Sequence, residues 1–497
     1  MAELKRGANV GIVLDVEAKP RPWQPPAAEE TPFRILVIAN LSGARAATMT
    51  SHRSPTRIDR DNFELVLSRF EPSVKVGQTG RTVVTMSELD DFHPDQLWAR
   101  LALFEPLRSL RKRLDDPRVF EMAVREWLGG KDSPAPPPPT GGSILDQMLG
   151  QTPGPAPQAR QAQTPADDFH EEIKRLVQPH LLPGDDPRKT ALTERLDAAA
   201  AELMRAILHD PEYQAVEAVW RALFLLVRRI ETGEDISIWV LDAARDEIEA
   251  DLASSQTIER SALHRLLVDE TSASSGASPW AVVLANLTFG PDARDLSLLA
   301  GLAAIARLAG APLLAGASPA LAGCTGFDAD SDPADWADAD PRWAAFRKSP
   351  LARFVGLALP RFLGRVPYGR DGDPCDAFGF EELATPPPHQ HYLWSNAAFA
   401  CTLLLAESFA QASWAMRPGM HQDVEGLPLH VYRDGGTGRA KPCAETLMSE
   451  RMAARLLEAG LMPLASLKDR DSARLLRFQS VADPPSGLAG RWNTREA

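Results

Sequence analysis

Leu296–Ala317, LSLLAGLAAIARLAGAPLLAGA, is the stretch whose reading decides the kind of fold this chain can have. It is nearly all apolar and about long enough to cross a bilayer. Arg307 sits near its middle, where membrane insertion costs roughly 2.5–3.5 kcal/mol. Gly310 and Pro312 then split the run into a helix followed by a short strand. The pattern predicts a buried helix–strand pair of an α/β core, with no membrane insertion.

Working outward, the same alternation holds on both sides. Asp235–Leu241 (DISIWVL), Ala281–Leu287 (AVVLANL), Pro312–Ala315 and Phe354–Leu359 (FVGLAL) read as strands. Helical patterns at 190–230, 293–309, 393–415 and 444–459 separate or follow them, an order that favours a largely parallel or mixed sheet with helices on its faces. This second module runs from 169 to 497. The first, 1–130, opens with the alternating run Asn9–Val16 and a proline-rich break through Pro26. A buried-strand signal, FRILVIA at Phe33–Ala39, follows and ends at Asn40-Leu41-Ser42-Gly43. In FELVLSRF, Phe63, Val66, Leu67 and Phe70 recur at helical spacing. Residues 97–128 read as one or two helices interrupted near Pro106 and Asp116-Pro117. The fold class expected is α/β, mixed sheets flanked by helices, in two modules joined by a linker at 131–168.

That linker contains SPAPPPPTGG and QTPGPAPQARQAQTPA, too poor in apolar surface to stay compact. Between them lies SILDQMLG, with Ile144, Leu145, Met148 and Leu149 on one side of two helical turns. The island is too short to be stable alone; it is either incidental or a docking helix for a partner.

Net charge is −13 with pI near 5.4, which argues against nucleic acid as a partner. Residues 1–130 hold 19 basic and 18 acidic side chains, so the excess acidity belongs to the later part, as if two units of different origin were joined. The four cysteines, Cys324, Cys375, Cys401 and Cys443, lie far apart without a CxxC pair. Together with an N-terminus lacking an apolar leader, they suit a reduced, cytoplasmic protein.

The cluster in HDPEYQAVEAVWRALFLLV, residues 209–227, is explained by helix initiation: Asp210 as N-cap, Pro211 at the first helical position, Glu212 in the first turn. Val216, Val219, Trp220, Leu223 and Val227 then form one packing stripe. No phosphate loop, HExxH, GxGxxG or GxSxG occurs. Gly316-Ala317-Ser318-Pro319 approaches a nucleophile elbow, but Pro319 removes the amide an oxyanion hole would use. His389-Gln390-His391 lacks a partner at metal-ligand spacing. Gly77–Thr82 reads as a turn before it reads as an anion site, and Arg108, Arg111, Lys112 and Arg113 read as a solvated helix face. No catalytic, metal or cofactor residue is assigned. A hydrolase using Ser318 or the His389/His391 pair is the remote alternative.

Three ordered stretches, PFRILVIANLSG, RIDRDNFELVL and MSELDDFHPDQLW, resemble the small sheath subunit of the type VI secretion system, the VipA/TssB family. Four more, AILHDPEYQAVEAVWRALFLLV, RFVGLALPRFLGRVPYG, YLWSNAAFACTLLLAESFA and VEGLPLHVY, resemble the large subunit, the VipB/TssC family. The resemblance implies a non-catalytic structural protein without a cofactor, fused from two normally separate chains, with a large-subunit part shortened at its C-terminus. It implies polymerisation with itself and other sheath subunits around an inner tube protein, contraction, and contacts with a baseplate and an AAA+ unfoldase. A non-polymerising accessory protein that binds a sheath end, baseplate or unfoldase is the alternative. Two interaction elements follow: Val10, Ile12, Leu14 and Val16 as an exchanged strand, and Ile144, Leu145, Met148 and Leu149 as an unfoldase-docking helix.

Overall fold

The computed structural model describes residues 31–43, 53–76, 82–116, 122, 189–272, 278–327 and 332–493. Nine strands make one sheet: β1 (Phe33–Ala39), β2 (Thr56–Ile58), β3 (Ile236–Asp242), β4 (Val282–Phe289), β5 (Leu313–Ala317), β6 (Val355–Leu359), β7 (Asp423–Val424), β8 (Met462–Ser466) and β9 (Ala473–Leu475). Their spatial order is β2-β3-β1-β4-β5-β6-β8-β9-β7. The six strands from β3 to β8 run parallel, and antiparallel pairs close both ends.

β1 is therefore an interior strand, third from the β2 edge. Phe33 pairs with Ile236 and Ala39 with Asp242 on one side, while Ile35–Ile38 pair with Val282–Ala285 on the other. After the antiparallel edge strand β2, the chain fills β3 on one flank of β1, then crosses back to β4, β5 and β6 on the other. That is the doubly wound order of flavodoxin-like sheets. The segments before 130 and after 169 thus close one sheet together, where sequence patterning suggested a module each.

Strands buried on both faces read as continuous apolar runs, and FRILVIA splits by the period of two. Phe33, Ile35, Val37 and Ala39 enter one core; Leu36 and Ile38 enter the core on the opposite face. The first core is covered by α1 (Phe63–Phe70), α2 (Pro94–Arg100), α3 (Glu105–Asp115), α4 (Lys189–Leu208) and α5 (Pro211–Arg229), and by α8 below. The second is covered by α6 (Arg245–Ser254) and α7 (Ala293–Ala309). α8 (Ala397–Ala412) is buried almost all round and lies across β4, β5 and β6, and α9 (Glu450–Glu458) packs beside β8.

The deciding stretch resolves as expected, into α7 and β5. Gly310 ends the helix at φ +66°, and its N–H reaches the Ala306 and Arg307 carbonyls. Among the described residues no helix is long and apolar enough to cross a membrane. The 190–230 pattern is two helices. Asp210 Oδ1 accepts the Glu212 and Tyr213 amides at 2.9 and 3.3 Å, and this cap starts α5. The helical region after 94 is broken by a 3₁₀ turn at Ala102–Phe104, so Pro106 opens α3 instead of interrupting it.

Candidate functional site

In a doubly wound sheet ligands sit beyond the carboxyl ends of the strands, where the winding reverses. Here that place lies between β1 and β4, and its donors are engaged from within. Leu41 and Ser42 donate their amides to Asp242 Oδ1 at 2.7 and 3.3 Å. Asp295 Oδ2 accepts the Gly290 amide after β4, and the other Asp295 oxygen meets Arg245. Arg53 lies on the Asp242 carbonyl at 2.6 Å and forks onto Glu247 at 2.7 and 2.9 Å. Among the described residues, an incoming phosphate would face the Asp242 and Asp295 carboxylates rather than free amides.

The residues proposed for hydrolysis are occupied otherwise. Ser318 caps a 3₁₀ turn, its Oγ accepting the Ala320 amide at 3.3 Å. His389 stacks on Trp394 at 4.9 Å and meets Glu445 Oε1 at 3.2 Å through Nε2. His391 stacks instead on His209, ring centroids 4.0 Å apart. Among the described residues no group of three His, Cys, Asp or Glu could hold a metal ion.

What sequence reasoning missed is a buried ionic hub. Glu217, two turns beyond the α5 cap, is fully buried, and Arg365 and Glu382 are nearly so. Arg365 lies in the loop RFLGRVPYG after β6. Its Nε donates to Glu217 Oε1 at 2.7 Å and its Nη1 to Glu382 Oε2 at 2.6 Å; Nη2 bridges both carboxylates at 3.3 and 2.9 Å. Arg221, one turn on in α5, adds a 2.7 Å bond to Glu217 and donates to Tyr368 Oη at 2.8 Å. Tyr368 and Tyr213 both donate to the Phe92 carbonyl, at 3.3 and 3.2 Å. The hub thus binds the segment before 130 to the one after 189.

Burial pushes the Glu217 carboxyl up, but Arg365 and Arg221 outweigh it and hold Glu217 below the usual carboxylate range. Desolvation likewise pulls Arg365 down, and its two carboxylates more than restore it, well above an ordinary guanidinium. The signal was faint: Glu217 sits at the margin of the apolar stripe, beside Tyr213 and Trp220 at helical spacing.

Beside the hub, Arg205, Ala206, His209, Glu382, Ala384 and His391 line a cleft of about 450 Å³. His209 Nε2 lies 4.0 Å from Glu382. Burial, then His391, Arg365 and Arg205, push the imidazole down to about 3, so it is neutral at physiological pH. The expected solvated face at Arg108–Arg113 is partly a joint, for Arg111 meets Asp197 of α4 at 2.6 Å. Trp220 adds another, its Nε1–H donating to the Leu41 carbonyl at 3.0 Å. Val10, Ile12, Leu14 and Val16 lie outside the described residues, as do Ile144, Leu145, Met148 and Leu149.

Comparison with known proteins fits these joints. Residues 190–482 match the VipB (EvpB) tail sheath N-terminal domain, and residues 10–120 match the type VI secretion system protein VipA. The type VI secretion system sheath protein TssC1 of Pseudomonas aeruginosa is 32% identical over 301 residues, which are 58% of this chain and 60% of that protein. The chain therefore spans about 60% of the length of this relative. With more than half its length matched, the chain belongs to the VipB tail sheath family, and it carries a VipA-type segment ahead of that domain in the same polypeptide.

Proposed function

We propose that this chain is a fused small-plus-large sheath subunit of a type VI-like contractile machine, acting in the cytoplasm without a catalytic step. Copies would pack with one another and with other sheath subunits around an inner tube, then switch packing to drive the tube outward. The observation that supports this most is the placing of β1. The VipA-type segment supplies a strand hydrogen-bonded on both sides within the sheet of the VipB-type segment. A pair that assembles this way from two chains loses nothing when joined covalently, and joining fixes the ratio at one to one. The run Val10–Val16 would lend a strand to a neighbour's sheet, and Ile144–Leu149 would offer the contracted form to an unfoldase.

Negative-stain electron microscopy of the purified protein, alone and mixed with neighbouring sheath proteins, tests the proposal. Tubes or rings containing the chain are the expected result. Their absence, with stable capture of a single sheath, baseplate or unfoldase subunit in pull-downs, would replace it with the non-polymerising accessory role.

A further inference from the structure

A second cleft lies at the β2 edge of the sheet, lined by Arg57 of β2 and Trp239 of β3. About 770 Å³ in volume, it falls in the range of ligand clefts, roughly 300–1,000 Å³. Pro32, Pro55, Trp239 and Trp280 form its apolar wall. The guanidinium of Arg34 stands over both indoles, 4.0 Å from the Trp280 ring and 4.9 Å from that of Trp239, and braces them. Arg34 and Arg57 line it and donate to the Ser278 carbonyl and, at 2.9 Å, to the Gly233 carbonyl. Trp280 is 1% exposed, with its indole N–H meeting no acceptor among the described residues. An orphaned buried donor costs about 1–3 kcal/mol, so an occupant that brings acceptors is favoured.

A proline-rich strand is such an occupant. Proline has no N–H, and in the polyproline II form every carbonyl points outward without an internal partner. The chain carries one within reach: Lys19–Glu30, KPRPWQPPAAEE, leads into Pro32, itself part of the cleft wall. Within it Pro22-Trp23-Gln24-Pro25 has the PxxP spacing that aromatic grooves accept. The charges also match. Lys19 and Arg21 precede the motif and Glu29 and Glu30 follow it, while the cleft offers Glu234 and Glu270 together with Arg34 and Arg57. We propose that the Trp239–Trp280 cleft is the docking groove for the chain's own proline-rich segment Pro20–Pro26, held as a polyproline II strand. Docking anchors the base of the arm at the sheet edge and does not depend on sheath assembly.

At an effective concentration of about 1 mM for a short tether, an intrinsic Kd of about 0.1 mM keeps the groove roughly ten-elevenths occupied. A fluorescein-labelled peptide of residues 18–30 tests this against the full chain at low concentration. The variant carrying Pro22→Ala with Pro25→Ala binds the peptide. Wild type binds it about tenfold more weakly, because its own segment competes, and adding Trp239→Ala to the variant abolishes binding. Equal binding by wild type and the proline variant would overturn the proposal, as would better competition from a peptide of residues 133–140. Should Trp239→Ala fail to fold, hydrogen exchange gives the second readout. The amides of Trp23, Gln24 and Ala27–Glu30 are protected in wild type and not in the proline variant; equal exchange, or protection lost on dilution, refutes docking within one chain.

Discussion

Replacing Arg365 by alanine removes the cation on which two buried carboxylates depend. Glu217 keeps its 2.7 Å bond from Arg221, whereas Glu382 keeps only the Tyr368 amide at 2.8 Å. Glu382 is 1% exposed, so the substitution leaves a buried carboxylate without its cation, a loss of roughly 3–5 kcal/mol of stability. Arg365 also depresses His209, so its removal eases imidazole protonation and makes the loss smaller at pH 5 than at pH 7. Urea unfolding of wild type and Arg365→Ala, followed by tryptophan emission at pH 7 and pH 5, reads both losses. A loss below about 1 kcal/mol at pH 7, or one that is equal at the two values, refutes a hub held by charge.

Other substitutions probe the remaining joints. His209 ionises near 3 in the fold against about 6.5 in a free chain; a depressed histidine contributes stability that is complete above 6.5 and lost as pH falls towards 3. By pH 5 that loss is about 2 kcal/mol, and His209→Phe flattens the acid limb of urea midpoint against pH. Gly43→Ala forces a methyl to 2.4 Å from the Ser73 carbonyl at φ +70°, and lowers stability by about 1–3 kcal/mol in the same urea assay. Leu145→Asp with Met148→Asp weakens unfoldase capture in pull-downs while the thermal midpoint stays unchanged; unaltered capture returns SILDQMLG to an incidental island.

Local elements were legible because local chemistry sets them. Asp210-Pro211 caps and opens a helix, Gly310-Ala311-Pro312 stops one, and FRILVIA reads as a strand buried on both faces. Partner choice was not legible. Every parallel strand in a covered sheet carries the same apolar signature, so nothing in FRILVIA says that it pairs with DISIWVL and AVVLANL two hundred residues later. The hub escaped for a related reason. Its members are 148 and 17 positions apart, and charges in a helix are ordinarily solvated. His209 gives no signal in the sequence, since its ring partner His391 lies 182 positions further along the chain.

The interior position of β1 has a consequence for biosynthesis. Residues 33–39 leave the ribosome first, yet their neighbours on both sides, 236–242 and 282–289, come roughly 200 or more residues later. At about 5–20 residues per second, FRILVIA waits some 10–40 s with both edges bare. A greasy ribbon in that condition is a template for wrong pairing. The interval in which strand 33–39 has no partner on either side grows with the distance along the chain to 236–242 and 282–289.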